Sequence, residues 1–193
     1  GDFDVVDAIK NSYERDQSKQ EQFGKDKGYN YIKELSNDNH QLYYNPEKKH
    51  LFMSVAGTHN LSDVGTDAML VAGKLKDTKR YQEADMALKK AKQMYDVKSS
   101  SGVGHSLGGA IMSKLSIDKK VTVNKASEPG ARTRQGETHI RTAGDVVSMF
   151  GADAKNTTTY HKRGFSLSDP LTWLPSHTYK NLASENFKIG GFV

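Results

Sequence analysis

The chain has 193 residues, enough for one domain of ordinary size, and a domain of that length buries about 70% of its unfolded surface, so a core forms without covalent staples. It contains no cysteine, which excludes a disulfide framework, an iron–sulfur cluster and a thiolate zinc site, although seven His leave a His/carboxylate metal site open by counting. Lys and Arg number 28 against 23 Asp and Glu, a net charge of +5 that suits anionic surfaces in general, and no run approaches the roughly 18 apolar residues of a membrane span.

In chain order, Gly1 stands where a Met would start a nascent chain, and no charged-then-apolar leader follows. A processed form or an excised piece is expected, with any targeting segment gone; a soluble or peripheral protein is expected, with secretion favoured. Val5, Val6, Ile9 and Tyr13 recur at helical spacing after Asp4 and predict a short amphipathic helix. Residues 14–27 are the most polar stretch and read as an exposed helix end plus loop, and Tyr29–Leu35 adds a further turn or two. Gln41–Tyr44 and Leu51–Ala56 flank a turn containing Pro46 and predict a hairpin that runs into a corner at Gly57-Thr58-His59-Asn60.

From Asp77 to Asp96 the apolar residues Tyr81, Ala84, Leu88, Ala91 and Tyr95 lie on one face among Lys, Gln, Glu and Asp, the clearest helix of the chain. Val103 leads into Gly104-His105-Ser106-Leu107-Gly108, followed by a helix over Ala110–Leu115. Val121–Val123 and Thr138–Thr142 are short strands, and beyond Phe150 the pattern fades into a loop-rich stretch. Strands separated by helices predict an α/β fold with parallel members. A single domain over 1–193 is expected, with residues 1–36 as its N-terminal helical segment.

The G-x-S-x-G at 104–108 is weak on its own: this composition produces it by chance in roughly one chain in eight. Its context raises it. A nucleophile elbow needs a strand, a sharp turn that strains the serine, and a helix whose N-terminal amides favour an oxyanion. Gly102 and Val103 lie before the turn and Gly109–Leu115 after it. Against this, Lys98-Ser-Ser-Ser101 is polar for the central strand that would carry an elbow.

An unactivated serine hydroxyl needs a base, and an imidazole oriented by a carboxylate is the group suited to neutral pH. The chain order of α/β hydrolases places acid and base after the serine. His139 lies within a predicted strand, His161 lies beside Lys162 and Arg163, and His177 is flanked by Trp173, Leu174 and Tyr179. Asp145 follows a strand and is the preferred acid; Asp153 and Asp169 are loop alternatives, and Asp118 reads as a cap or surface charge.

These residues occur in a familiar series. Ala56-Gly57-Thr58 ends a hairpin strand, a long helix follows, and GHSLGGA stands at Gly104–Ala110. Ala126-Ser-Glu-Pro-Gly130, Asp145-Val-Val147 and Ser176-His177-Thr-Tyr179 come after it. In this the sequence resembles the class 3 lipases, the fungal-lipase-like branch of the α/β-hydrolase fold, from about Gln41 to Tyr179. The resemblance implies a compact, mostly parallel α/β-hydrolase-like sheet flanked by helices. It implies a catalytic triad of Ser106, Asp145 and His177, with an oxyanion hole from the Leu107 and Thr58 amides. Trp173 and Leu174 are candidate substrate-pocket residues. The chain departs from the family at Ala56, where Arg is usual, and at Val146, where Pro commonly follows the acid.

The implied reaction is hydrolysis of a lipid or small ester, with no metal or organic cofactor and with peripheral contact to a membrane surface compatible with the charge. The rival classes are a catalytically inactive hydrolase-fold module and, more weakly, a nucleic-acid binder. The Lys residues are scattered among acids and form no basic-aromatic motif, so no nucleic-acid partner is expected.

Overall fold

Seven strands pair in their order along the chain, β1 to β7, and this ordering decides where every later element lies. The computed structural model describes residues 3–57, 75–125, 136–142 and 157–160, with only the backbone described for 140–142 and 157–160. Helix α1 (Val5–Ser12) starts at Asp4, whose side chain accepts from the Asp7 N–H, and α2 (Gln17–Lys25) starts at Asp16, which accepts from Ser18. Next come β1 (Asn30–Tyr31), a 3₁₀ turn at Lys33–Leu35, and the hairpin of β2 (His40–Asn45) and β3 (His50–Val55). Helix α3 (Lys79–Met94) is capped by Thr78, which accepts from the Tyr81 N–H. Strand β4 (Ser99–His105), helix α4 (Leu107–Lys114), β5 (Lys119–Val123), β6 (Glu137–Thr142) and β7 (Thr157–Tyr160) complete the described elements.

β1, β2 and β3 are antiparallel neighbours, while β3 through β7 run parallel. This is the expected α/β sheet, mostly parallel and flanked by helices. Successive side chains of a strand alternate between faces, so β3 divides its residues between two cores. Leu51, Met53 and Val55 pack with α3 and α4 through Leu88, Ala91, Ile111 and Met112. Phe52 faces the other way, joining Val103, Val121 and Val123 beneath Phe3, Val5 and Ile9 of the N-terminal segment. Phe3 stacks on Phe52 with ring centroids 4.2 Å apart.

The structure corrects four readings of the sequence. Residues 14–27 are not an exposed helix end and loop: they contain α2, whose fully buried residues are Gln20 and Gly24, with the half-buried Phe23 stacked on Phe3 beside them. Gly24 lies against the Tyr43 ring, and Gln20 accepts from the Tyr31 hydroxyl at 2.6 Å. The segment at 29–35 forms a short strand and a 3₁₀ turn. In the stretch past Phe150 read as loop, Thr157–Tyr160 is strand β7, three β-branched threonines paired beside β6.

Asp118 is neither a cap nor a plain surface charge. Its carboxylate accepts from the Ser100 N–H at 2.9 Å, and its own N–H donates to Ser100 Oγ at 2.9 Å. The polar start of β4 is satisfied in the same way on its other face. Both ring nitrogens of His50 bond to serine hydroxyls, Nδ1 to Ser99 at 2.6 Å and Nε2 to Ser101 at 2.7 Å.

A second polar group lies between α4 and the sheet. Lys125 and Glu137 form an ion pair of 2.6 Å with side chains 3% and 0% exposed, so desolvation of both charges rests on local partners. Glu137 also accepts from Thr122 at 2.8 Å and from Ser113, and Lys120 donates to the Ser113 carbonyl at 3.0 Å. Glu137→Gln keeps the shape but leaves the Lys125 charge without its counter-ion, and a destabilisation of about 3–5 kcal/mol is expected. Urea unfolding measures it, and a loss below about 1 kcal/mol would show that the pair is not sealed from solvent.

Candidate active site

The elbow is shaped by how closely two backbones approach. Strand β4 ends at His105, α4 begins at Leu107, and only Ser106 lies between them. A Cβ on Gly104 would meet the backbone of Gly108 and Gly109, and one on Gly108 would meet the carbonyl of Val55 and the backbone of Ala56. The chain reverses within that space by placing Ser106 at φ 58°, ψ −122°, a positive φ that costs a non-glycine residue about 1–3 kcal/mol. The Ser106 N–H donates to the Val123 carbonyl of β5 at 3.0 Å, and its carbonyl accepts from Ala110 in the first turn of α4.

This is the strand–serine–helix elbow expected from G-x-S-x-G. Ser106 is fully buried, and Leu107 is 9% exposed. Leu107 occupies the first helical position, where backbone N–H groups have no acceptor within the helix and lie at the positive end of its dipole. That arrangement favours negative charge developing beside the serine.

The corner after β3 meets the elbow directly. A Cβ on Gly57 would lie 3.2 Å from Ser106 Cβ, 2.7 Å from the His105 carbonyl and 2.5 Å from the Tyr13 hydroxyl. The structure therefore brings Ser106, Leu107 and the Gly57 corner together. Thr58, Asp145, His177, Trp173 and Leu174 lie outside the described residues, as do His161, Asp153 and Asp169. His139 is fully buried within β6, in register with Thr122, in keeping with a side chain committed to one sheet face.

Two residues at this place were not singled out as site residues from the sequence. Tyr13, at the end of α1, shares a 2.6 Å hydrogen bond with His105 Nδ1, the ring next to the nucleophile, and the two rings meet edge to face. Arg80, in the first turn of α3, donates to the carbonyls of Ala56, Gly57 and Asn39. No local pattern in the sequence marks Arg80: Lys79 beside it is also a cation in the first turn, where the helix dipole disfavours one, and Lys79 is exposed.

Beside Arg80, His40 is buried, and burial together with the guanidinium charge lowers its pKa from 6.5 to about 4. Among the described residues no group of three His, Asp or Glu side chains could hold a metal ion. No described helix is long and apolar enough to cross a membrane.

A strained serine at the carboxyl end of a parallel strand, with a helix N-terminus behind it, places the chain in the α/β-hydrolase fold class. Comparison with solved structures shows similarity to the Lip2 lipase of Yarrowia lipolytica at 17% identity, over 57% of this chain and 55% of that one, with a TM-score of 0.39. A triacylglycerol lipase of Penicillium expansum is similar at 14% identity, over 91% of this chain and 89% of that one, with a TM-score of 0.43. This chain thus spans just over half the length of the first of these. No family model and no curated protein matches the sequence.

Two outcomes follow from this geometry. Gly108→Ala drives a methyl group into backbone that cannot rotate away and is expected to cost at least about 1–3 kcal/mol in thermal or urea unfolding. For His40 the folded pKa lies below the unfolded value, so the unfolded chain binds the proton first. Stability is full above pH 6.5, declines as the pH falls, and has lost about 3 kcal/mol by pH 4. Urea midpoints over that range should show the slope in wild type and a flatter curve in His40→Gln.

Proposed function

We propose that the protein is a serine carboxylic-ester hydrolase acting on lipid-like esters, in the manner of the class 3 lipases that its sequence resembles. The observation that carries this reading is Ser106, held at positive φ between β4 and α4 and pressed against the Gly57 corner.

In the proposed reaction His177 takes the Ser106 proton while Oγ forms a bond to the acyl carbon, and Asp145 holds the imidazole. The carbonyl oxygen becomes an oxyanion between the amides of Leu107 and Thr58. As the intermediate collapses, the bond to the alcohol oxygen breaks and His177 returns the proton to that oxygen. Water then attacks the acyl-enzyme with His177 again as base, releasing the acid and restoring Ser106. Trp173 and Leu174 form part of the acyl pocket in this reading. The charge of +5 favours an anionic lipid surface over a neutral one.

Turnover of a short-chain chromogenic ester tests it, together with labelling by a fluorophosphonate, which reacts only with an activated serine. Ser106→Ala is expected to lose label and to lower kcat by at least about 10⁴-fold. Asp145→Asn and His177→Ala should each cost about 10³-fold or more. A wild-type chain that takes no label would instead be an inactive hydrolase-fold module.

A further inference from the structure

We propose that Tyr13 is a positioning residue for the nucleophile, which grips His105 and through it keeps Ser106 in its strained conformation; the inference rests on the acyl-transfer reading of Ser106. The Tyr13 hydroxyl shares a 2.6 Å hydrogen bond with His105 Nδ1, and the two rings meet edge to face with centroids 5.7 Å apart. His105 is 2% exposed, so the imidazole end of this bond is shut off from competing water.

The phenol is itself fixed by the corner after β3, because its hydroxyl fills the place of a side chain on Gly57. A Cβ there would lie 2.5 Å from the Tyr13 oxygen, 2.7 Å from the His105 carbonyl oxygen and 3.2 Å from Ser106 Cβ. Phenol, carbonyl and nucleophile thus converge on one point. Arg80 holds the same corner by donating to the Gly57 carbonyl at 3.1 Å.

A non-glycine residue at φ 58° keeps that conformation only while its surroundings over-determine it. Two restraints act on Ser106 itself, its N–H on the Val123 carbonyl at 3.0 Å and its carbonyl on the Ala110 N–H at 3.1 Å. Tyr13 adds a third, on the side chain of the residue bonded to the serine nitrogen. Released from it, the strand end gives way to the strain and Oγ drifts with the backbone. A displacement of about 1 Å at a reacting atom costs about 10²-fold in rate, whereas substrate binding elsewhere is untouched. Loss of one restraint among several costs less than that.

The experiment uses the full chain and follows Ser106 by its rate of fluorophosphonate labelling and by turnover of a short-chain chromogenic ester. Wild type comes first: if it takes no label, the hydrolase reading fails and this inference falls with it. With an active wild type, Tyr13→Phe removes the hydroxyl and keeps the ring. Labelling rate and kcat are expected to fall together by about three- to tenfold, the range of one hydrogen bond, with KM within about twofold. His105→Phe should lose at least as much. Tyr13→Phe added to it should cost less than about twofold more, because the bond is already gone.

Rates are taken well below Tm, with circular dichroism showing each variant folded. A residue that merely supports the fold would lower Tm and leave the labelling rate of folded molecules unchanged, and that result overturns the proposal. Losses that multiply in the double variant also overturn it, since Tyr13 would then not act through His105. If Tyr13→Phe does not fold, His105→Phe carries the same labelling and kcat comparison. Failure of both to fold counts against the proposal, by making the bond a support of the fold alone.

Discussion

The crossing of β4 over the first turn of α4 is the constraint on which the rest of the site depends. Gly104 and Gly108 let the two backbones approach within a distance no side chain would permit, and Gly108 lies in turn against the end of β3. Given that approach, the chain has one residue in which to reverse. Ser106 takes the strained conformation because its neighbours leave no other. The strain is held from both sides, by the Ser106 amide on the Val123 carbonyl of β5 and by the helix that starts behind it. The position of the Gly57 corner follows from the same contact.

How far the sequence could be read depended on where each element keeps its chemistry. Helices α1 and α3 were legible because each buries a periodic apolar face, and the β2–β3 hairpin because Pro46 interrupts two apolar runs. Helix α2 was not, since its inward face is Gln20, Gly24 and a single half-buried aromatic, Phe23, too few apolar positions to show a period. Strand β7 was missed because three threonines resemble a polar loop until a partner strand supplies the ladder. The elbow was legible because its requirements fall within a few consecutive residues. Arg80 and Tyr13 reach it from 24 and 92 positions away, a distance at which no local pattern speaks.

The serine-rich start of β4 looked out of keeping with a central strand, and its polarity proves to specify pairing. His50 grips Ser99 and Ser101 on one face, while Asp118 grips Ser100 on the other. A slip of one residue between β3 and β4 would break both His50 bonds, and a slip between β4 and β5 would break the Asp118–Ser100 pair. Buried polar groups gain less in net stability than apolar ones but discriminate more sharply between registers. The Lys125–Glu137 pair gives the neighbouring β5–β6 pairing the same discrimination.

The bond between Tyr13 and His105 joins a helix near the start of the chain to the ring beside the nucleophile, across 92 positions. The same helix rests on Tyr43 of β2 and Phe52 of β3, with Asn11 donating to the Tyr43 hydroxyl at 2.8 Å. One docking event therefore completes both the core of that sheet face and the surroundings of the serine, and a change that detaches the helix disturbs the two together.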